Sequence, residues 1–168
     1  GDNTGTLRCV DAATGAGIWI VKTGAEILTE PLVTGDRVIV GNGDGLVAAY
    51  SAKDGARLWS SRTGAAVYSS PVLAGQAVIF GDLSGALHAL DVRTGRRLWT
   101  NNDAEYSIES KPVTDGERVW FGAWDQYVRC VDARTGRLVW KELCEGSRTA
   151  TAAKRYYSAG DATPHLAG

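Results

Sequence analysis

The sequence predicts an all-β fold, a β-propeller of four-stranded antiparallel blades with about four blades, three of them complete. Three observations carry this. Trp19, Trp59, Trp99 and Trp140 stand 40, 40 and 41 residues apart, a period typical of propellers and solenoids. A glycine precedes each by four residues (Gly15, Gly55, Gly95, Gly136), and four before that stands Asp11, Ser51, Asp91 or Asp132. No segment has helical periodicity; the apolar residues come in short runs closed by glycine, as strands bounded by turns do.

Each repeat is written as four strands. The first ends at a proline-led segment, with Pro31, Pro71 and Pro112 lying 12 or 13 residues beyond the preceding Trp; in the second repeat it is placed at Ser69 to Leu73. After Gly35, Gly75 or Gly116 come Val38-Ile39-Val40, Val78-Ile79-Phe80 and Val119-Trp120-Phe121, closed by Gly41, Gly81 and Gly122. The third strand aligns Leu7, Val47, Leu87 and Val128 with Cys9, Ala49, Ala89 and Cys130. The column between them, Arg8, Ala48, His88 and Arg129, gives the period of two that defines a strand. The fourth strand carries the Trp. Apolar residues on both faces of the inner strands require each unit to stack on its neighbours. A solenoid would use shorter coils, and a sandwich would lack this register. The boundaries are a half-blade at 1–21, blades at about 28–61, 68–101 and 108–142, an insertion at 143–161 and the start of a further blade at 162–168.

Bulk properties exclude several functions. Eighteen basic and nineteen acidic residues give a net charge of −1, with no electrostatic footprint for nucleic acid. No run approaches the roughly 20 apolar residues of a membrane span, and no export signal is visible. Cys9, Cys130 and Cys144 lack metal-ligand spacing. Cys9 and Cys130 fill an alanine column and read as small buried apolar residues.

The segment Ala89-Leu90-Asp91-Val92-Arg93-Thr94-Gly95-Arg96-Arg97-Leu98-Trp99 recurs from Cys9 to Trp19 and Cys130 to Trp140, and in degenerate form from Ala49 to Trp59. It resembles the tryptophan-docking motif of the PQQ-like, quinoprotein-type propeller repeats, over nearly the whole chain. Its physical logic is independent of the resemblance: a glycine able to take positive φ, an Asp or Thr that holds backbone, and a large ring to bury. Trp124-Asp125 mimics a WD dipeptide, but occurs once and in a turn. The resemblance implies seven or eight blades in the parent, so the chain is expected to be a fragment; a natural chain of this length would close alone or as a homodimer.

The resemblance also offers PQQ and calcium, under a quinoprotein dehydrogenase reading. No adjacent cysteine pair and no matched carboxylate set carries over, so no cofactor-binding, metal or catalytic residue is assigned. Trp120 and Trp124 read as blade aromatics before they read as a stacking floor. His88 reads as a polar residue at a blade surface, and with His165 it forms no triad. Asp11, Asp91 and Asp132 recur by structural rule.

Variation points elsewhere. Before the prolines the repeats diverge: Leu28 and Glu30, Tyr68 and Ser70, Glu109 and Lys111, then Asp161 and Thr163. The connection from Trp140 to Pro164 spans 24 residues and holds Arg155, Tyr156 and Tyr157. Glu30, Tyr68, Glu109, Lys111, Asp161, Arg155, Tyr156 and Tyr157 are therefore the candidate recognition surface. The expected function is a non-catalytic scaffold for protein or peptide partners, similar to outer-membrane assembly lipoprotein propellers and extracytoplasmic by resemblance. The alternatives are a dehydrogenase segment whose cofactor residues lie outside this chain, and a ligand-sensing domain of a kinase or other effector.

Overall fold

The computed structural model describes residues 1–144. It contains a two-stranded sheet, β1 (Thr6–Val10) and β2 (Gly17–Lys22), followed by three four-stranded antiparallel meanders. The first blade is β3 (Leu32–Thr34), β4 (Arg37–Gly41), β5 (Leu46–Ser51) and β6 (Arg57–Arg62). The second is β7 (Val72–Ala74), β8 (Ala77–Gly81), β9 (Leu87–Asp91) and β10 (Arg97–Asn101). The third is β11 (Val113–Thr114), β12 (Arg118–Gly122), β13 (Tyr127–Asp132) and β14 (Leu138–Leu143). The all-β, propeller-type architecture is as the sequence predicts. No helix among the described residues is long and apolar enough to cross a membrane.

The core lies between blades. Ile39, Val47, Ala49 and Trp59 of the first blade pack on Val67, Val78, Phe80 and Leu90 of the second. The alternate residues Val38, Val40, Ala48 and Tyr50 pack the other way, on Leu7 and Trp19. Strict alternation on a sheet buried on both faces thus makes one strand serve two cores. Each outer strand bulges at the same place. Pairing jumps from Ala49↔Trp59 to Tyr50↔Arg57, leaving Leu58 unpaired, and Ile18, Leu98 and Val139 are skipped in the same way. The bulge turns these apolar residues outward, while the indoles of Trp19, Trp59 and Trp99 beside the first three are buried.

Glycines join the blades as well as turning the chain. Gly41 and Gly81 end β4 and β8 outside the positive-φ region. A Cβ on either would overlap Val67 or Ile108, the buried residue that the next blade lays against it. The same seam carries repeated backbone bonds: the amides of Ile27, Val67 and Ile108 donate to the carbonyls of Asp2, Asn42 and Asp82, each at 3.0 Å.

Two details depart from the sequence reading. The innermost strand of the second blade begins at Val72, not Ser69. Pro71 has no amide to give a ladder, and the Ser69 hydroxyl donates to the Ser110 carbonyl of the next blade at 2.7 Å. His88 is not at a blade surface. It is 3% exposed, stacks on Phe80 at 5.4 Å and bonds Asp82 through Nε2 at 2.8 Å. One blade on, Arg129 is equally buried and pairs with Asp125. The column between the two apolar ones faces a neighbouring blade, so a polar residue there is sealed in with a carboxylate from its own β-turn. Burial pushes the Asp82 and Asp125 carboxyls up, but the bonds to His88 and Ser84, and to Arg129, more than offset it and hold both below the usual range.

Candidate recognition site

The inner ends of the blades are built by the segments that run up to Pro31, Pro71 and Pro112. Four residues before the proline, Ile27, Val67 and Ile108 are buried on the glycines of the preceding repeat. Two before it, the hydroxyls of Thr29, Ser69 and Ser110 are buried. Thr29 and Ser110 donate to the carbonyls of Gly41 and Gly122 at 3.2 and 3.3 Å. Every second side chain is thus an anchor. The residues between the anchors, Leu28, Tyr68 and Glu109 and then Glu30, Ser70 and Lys111, differ in every blade. Leu28 is 52% exposed, Glu30 is exposed, and the other four are half-buried.

These variable side chains meet across blades. Lys111 Nζ lies 2.8 Å from Glu30 Oε2, joining the third blade to the first. The Glu30 amide donates to Ser70 Oγ at 2.9 Å. The Tyr68 hydroxyl donates to Glu26 Oε1 at 2.8 Å, and Ser107 holds Glu109 Oε1 at 2.9 Å. The bond to Glu26 raises the Tyr68 phenol above its ordinary value, assisted by burial and by the charges of Glu26 and Glu109. The same bond lowers Glu26, and Lys111, by bond and charge, lowers Glu30.

Of the residues singled out by sequence, the structure therefore brings Glu30 to Lys111, and sets Tyr68 within the field of Glu109. Asp161, Arg155, Tyr156 and Tyr157 lie outside the described residues. Glu26 was missed. Its signal was available: it stands five before Pro31, where the other repeats have Ala66 and Ser107.

The motif residues occupy the far ends of the outer strands. Asp91 Oδ1 accepts the Arg93 and Thr94 amides at 3.1 and 2.8 Å and the Thr94 hydroxyl at 2.7 Å; Asp11 and Asp132 repeat the set. Gly15, Gly55, Gly95 and Gly136 all take φ of 70–73°. The Nε1 of Trp19, Trp59 and Trp99 donates across the blade boundary to the carbonyls of Ala52, Val92 and Ala133 at 2.9, 3.0 and 3.0 Å. Each ring lies on the next repeat's motif glycine, Gly55, Gly95 or Gly136. These three rings are 8–9% exposed, whereas Trp140 is 44% exposed. Opposite them in the ladder stand Cys9, Ala49, Ala89 and Cys130, small enough to pass under an indole. At this end a shallow groove of about 440 Å³ runs between the second and third blades, bordered by Leu98 and Arg134.

The fourth repeat breaks its turn. Where the others have Gly5, Gly45 and Gly85, Gln126 sits at φ 73°. Trp124 beside it is half-buried, and among the described residues nothing accepts its Nε1 hydrogen. Trp120, half-buried in β12, lies opposite Val113 and Cys130 in the ladder rather than beside Trp124 on a common floor. No three His, Cys, Asp or Glu side chains among the described residues converge to hold a metal ion.

The sequence matches, over residues 1–166, the family described as outer membrane protein assembly factor BamB. A search of curated proteins finds no match. Among solved structures, BamB from Moraxella catarrhalis superposes with a TM-score of 0.73 at 22% identity, covering 84% of this chain and 44% of that one. The quinohemoprotein alcohol dehydrogenase ADHIIG from Pseudomonas putida HK5 gives 0.60 at 25% identity, over 66% of this chain and 19% of the other. The computationally designed Ika8 protein gives 0.60 at 17%, over 83% and 56%. The chain thus spans less than half of the BamB structure it resembles.

Proposed function

Because the chain belongs to the family of the outer membrane protein assembly factor BamB, we propose that it is a non-catalytic propeller module that docks protein or peptide partners on its inner rim, in an extracytoplasmic setting. The observation that supports this is the division of labour along the segments before the prolines. Alternate residues there repeat and are fixed by buried packing and hydroxyl bonds, while those between them vary from blade to blade. Rigid support under variable side chains lowers the ordering cost of binding and frees the surface to be specific.

The test places a photo-crosslinking amino acid at Leu28 on the rim and, as control, at Leu58, an equally apolar residue 44% exposed on the outer strand β6. In the native host the Leu28 probe is expected to give a discrete protein adduct and the Leu58 probe none. Equal labelling at both sites, or none at Leu28, rejects rim docking. The likeness to ADHIIG favours one other reading, a segment of a quinoprotein dehydrogenase. Quenching of tryptophan fluorescence by added PQQ with calcium, saturable near micromolar concentration, would support it.

A further inference from the structure

Tyr68 occupies an unusual electrostatic position on the rim. It belongs to the middle blade of three. Glu26, from the preceding blade, accepts its hydroxyl at 2.8 Å, and Glu109, from the following blade, stands in the column equivalent to Tyr68 itself. Each carboxylate is held from its own side. Glu26 rests over Gly43, where any side chain would collide with it, and Glu109 is fixed by Ser107 at 2.9 Å. Among the described rim residues, the ammonium of Lys111 is engaged by Glu30 at 2.8 Å. The Tyr68 hydroxyl is therefore bonded to one positioned carboxylate and lies within the field of a second, and the exposed aliphatic Leu28 holds the equivalent place one blade earlier. Electron-rich ring faces and carboxylates both attract cations, and guanidinium and ammonium groups satisfy the two together.

We infer that Tyr68, with Glu26 and Glu109 on either side, receives a lysine or arginine side chain of the partner, and that the occupant of the rim is a basic peptide segment with an aliphatic residue for Leu28. This rests on the docking reading and sharpens it. Among the described rim residues named above, three carboxylates stand against one ammonium, a negative balance although the whole chain is nearly neutral at −1. An acidic or neutral segment would leave Glu26 and Glu109 without a countercharge as water is displaced, which is costly.

The experiment uses the 168-residue chain and three fluorescein-labelled decapeptides of one sequence, alternating Leu and Ser with three variable positions. These hold arginine, citrulline, which keeps the shape without the charge, or glutamate. Fluorescence anisotropy is expected to show the arginine peptide binding at least tenfold more tightly than the citrulline peptide at 50 mM salt. That preference is expected to fade toward 0.5 M, where charges are screened within a few ångströms. The double substitution Glu26→Gln and Glu109→Gln is expected to bring the ratio close to one, with an unchanged melting temperature. Arg134→Gln, at the opposite end of the blades, is expected to leave it intact. If citrulline binds wild type as well as arginine does, the cation site is wrong while rim docking stands. Binding of none of the three peptides, or a preference that survives the double substitution, also overturns the inference; the crosslinking experiment judges docking separately.

Discussion

Trp99 concentrates several kinds of stabilisation in one side chain: a ring 9% exposed, an Nε1 bond of 3.0 Å to the next blade, and a seat on Gly136. Trp99→Ala is expected to cost about 3–5 kcal/mol in urea unfolding, the range for a large aromatic removed from a packed site. The aspartates of the turns make a pH-dependent contribution. Bonds from Thr14, Thr94 and Thr135 hold Asp11, Asp91 and Asp132 below the ordinary carboxyl range. A carboxyl that ionises more readily when folded stabilises fully above its unfolded value and loses that contribution as pH falls through the folded one. The melting temperature is therefore expected to be level from pH 7 to 5 and to fall below about pH 4, and less steeply in a Thr94→Val, Thr135→Val variant. Glu26→Gln is expected to bring the Tyr68 phenol down toward its ordinary value of about 10, read by ultraviolet titration. The motif residues were legible in the sequence because each recurs in the same column. His88 and Arg129 were not, since their columns hold Ala48 in another repeat and their partners Asp82 and Asp125 come from a turn.

A blade is an element whose inner strands have no solvent side, and its glycines follow from that. Gly81→Ala is expected to destabilise by about 1–3 kcal/mol, the usual cost of overpacking, because the new methyl meets Ile108. Gly35→Ala, at φ 56° but with nothing near its Cβ, isolates the backbone part of such a change for comparison. The turn between β12 and β13 departs from the repeat in the opposite direction. Gln126 takes a conformation that costs an L-residue roughly 1–2 kcal/mol, and Gln126→Gly is expected to raise stability by about 1 kcal/mol, measured by the urea midpoint. Strand order and alternation were legible from periodicity. The start of β7 was misplaced because Ser69 looks like strand sequence and only the neighbouring blade's carbonyl at Ser110 shows where its hydroxyl goes. The rim pair of Glu26 and Tyr68 was out of reach for the same reason. Their contact spans 42 positions and exists only when adjacent repeats are superposed.

Across the described molecule, three successive seams use the same parts: an indole to a carbonyl on one side, and an amide to an Asx-turn carbonyl on the other. Stability in such an array is close to a sum over units and their nearest neighbours. Weakening a middle seam is therefore expected to divide it. In Trp59→Ala, hydrogen exchange is expected to show amides of β4 and β5 opening at lower free energy than those of β8, β9 and β12, which keep the Trp99 seam; uniform loss of protection would mean the described sheets unfold as one. The repeated seam also has a direction. Every unit offers a knob, its tryptophan, and a socket, the glycine and carbonyl of its own motif, and the two are never interchangeable. A unit copied or excised in whole periods brings one of each and leaves its flanking joints matched, whereas a cut out of phase leaves two knobs or two sockets facing. Copying or excising a whole period therefore keeps every indole joint matched, while the variable rim side chains that stand between the anchors enter no indole joint and can be exchanged one at a time.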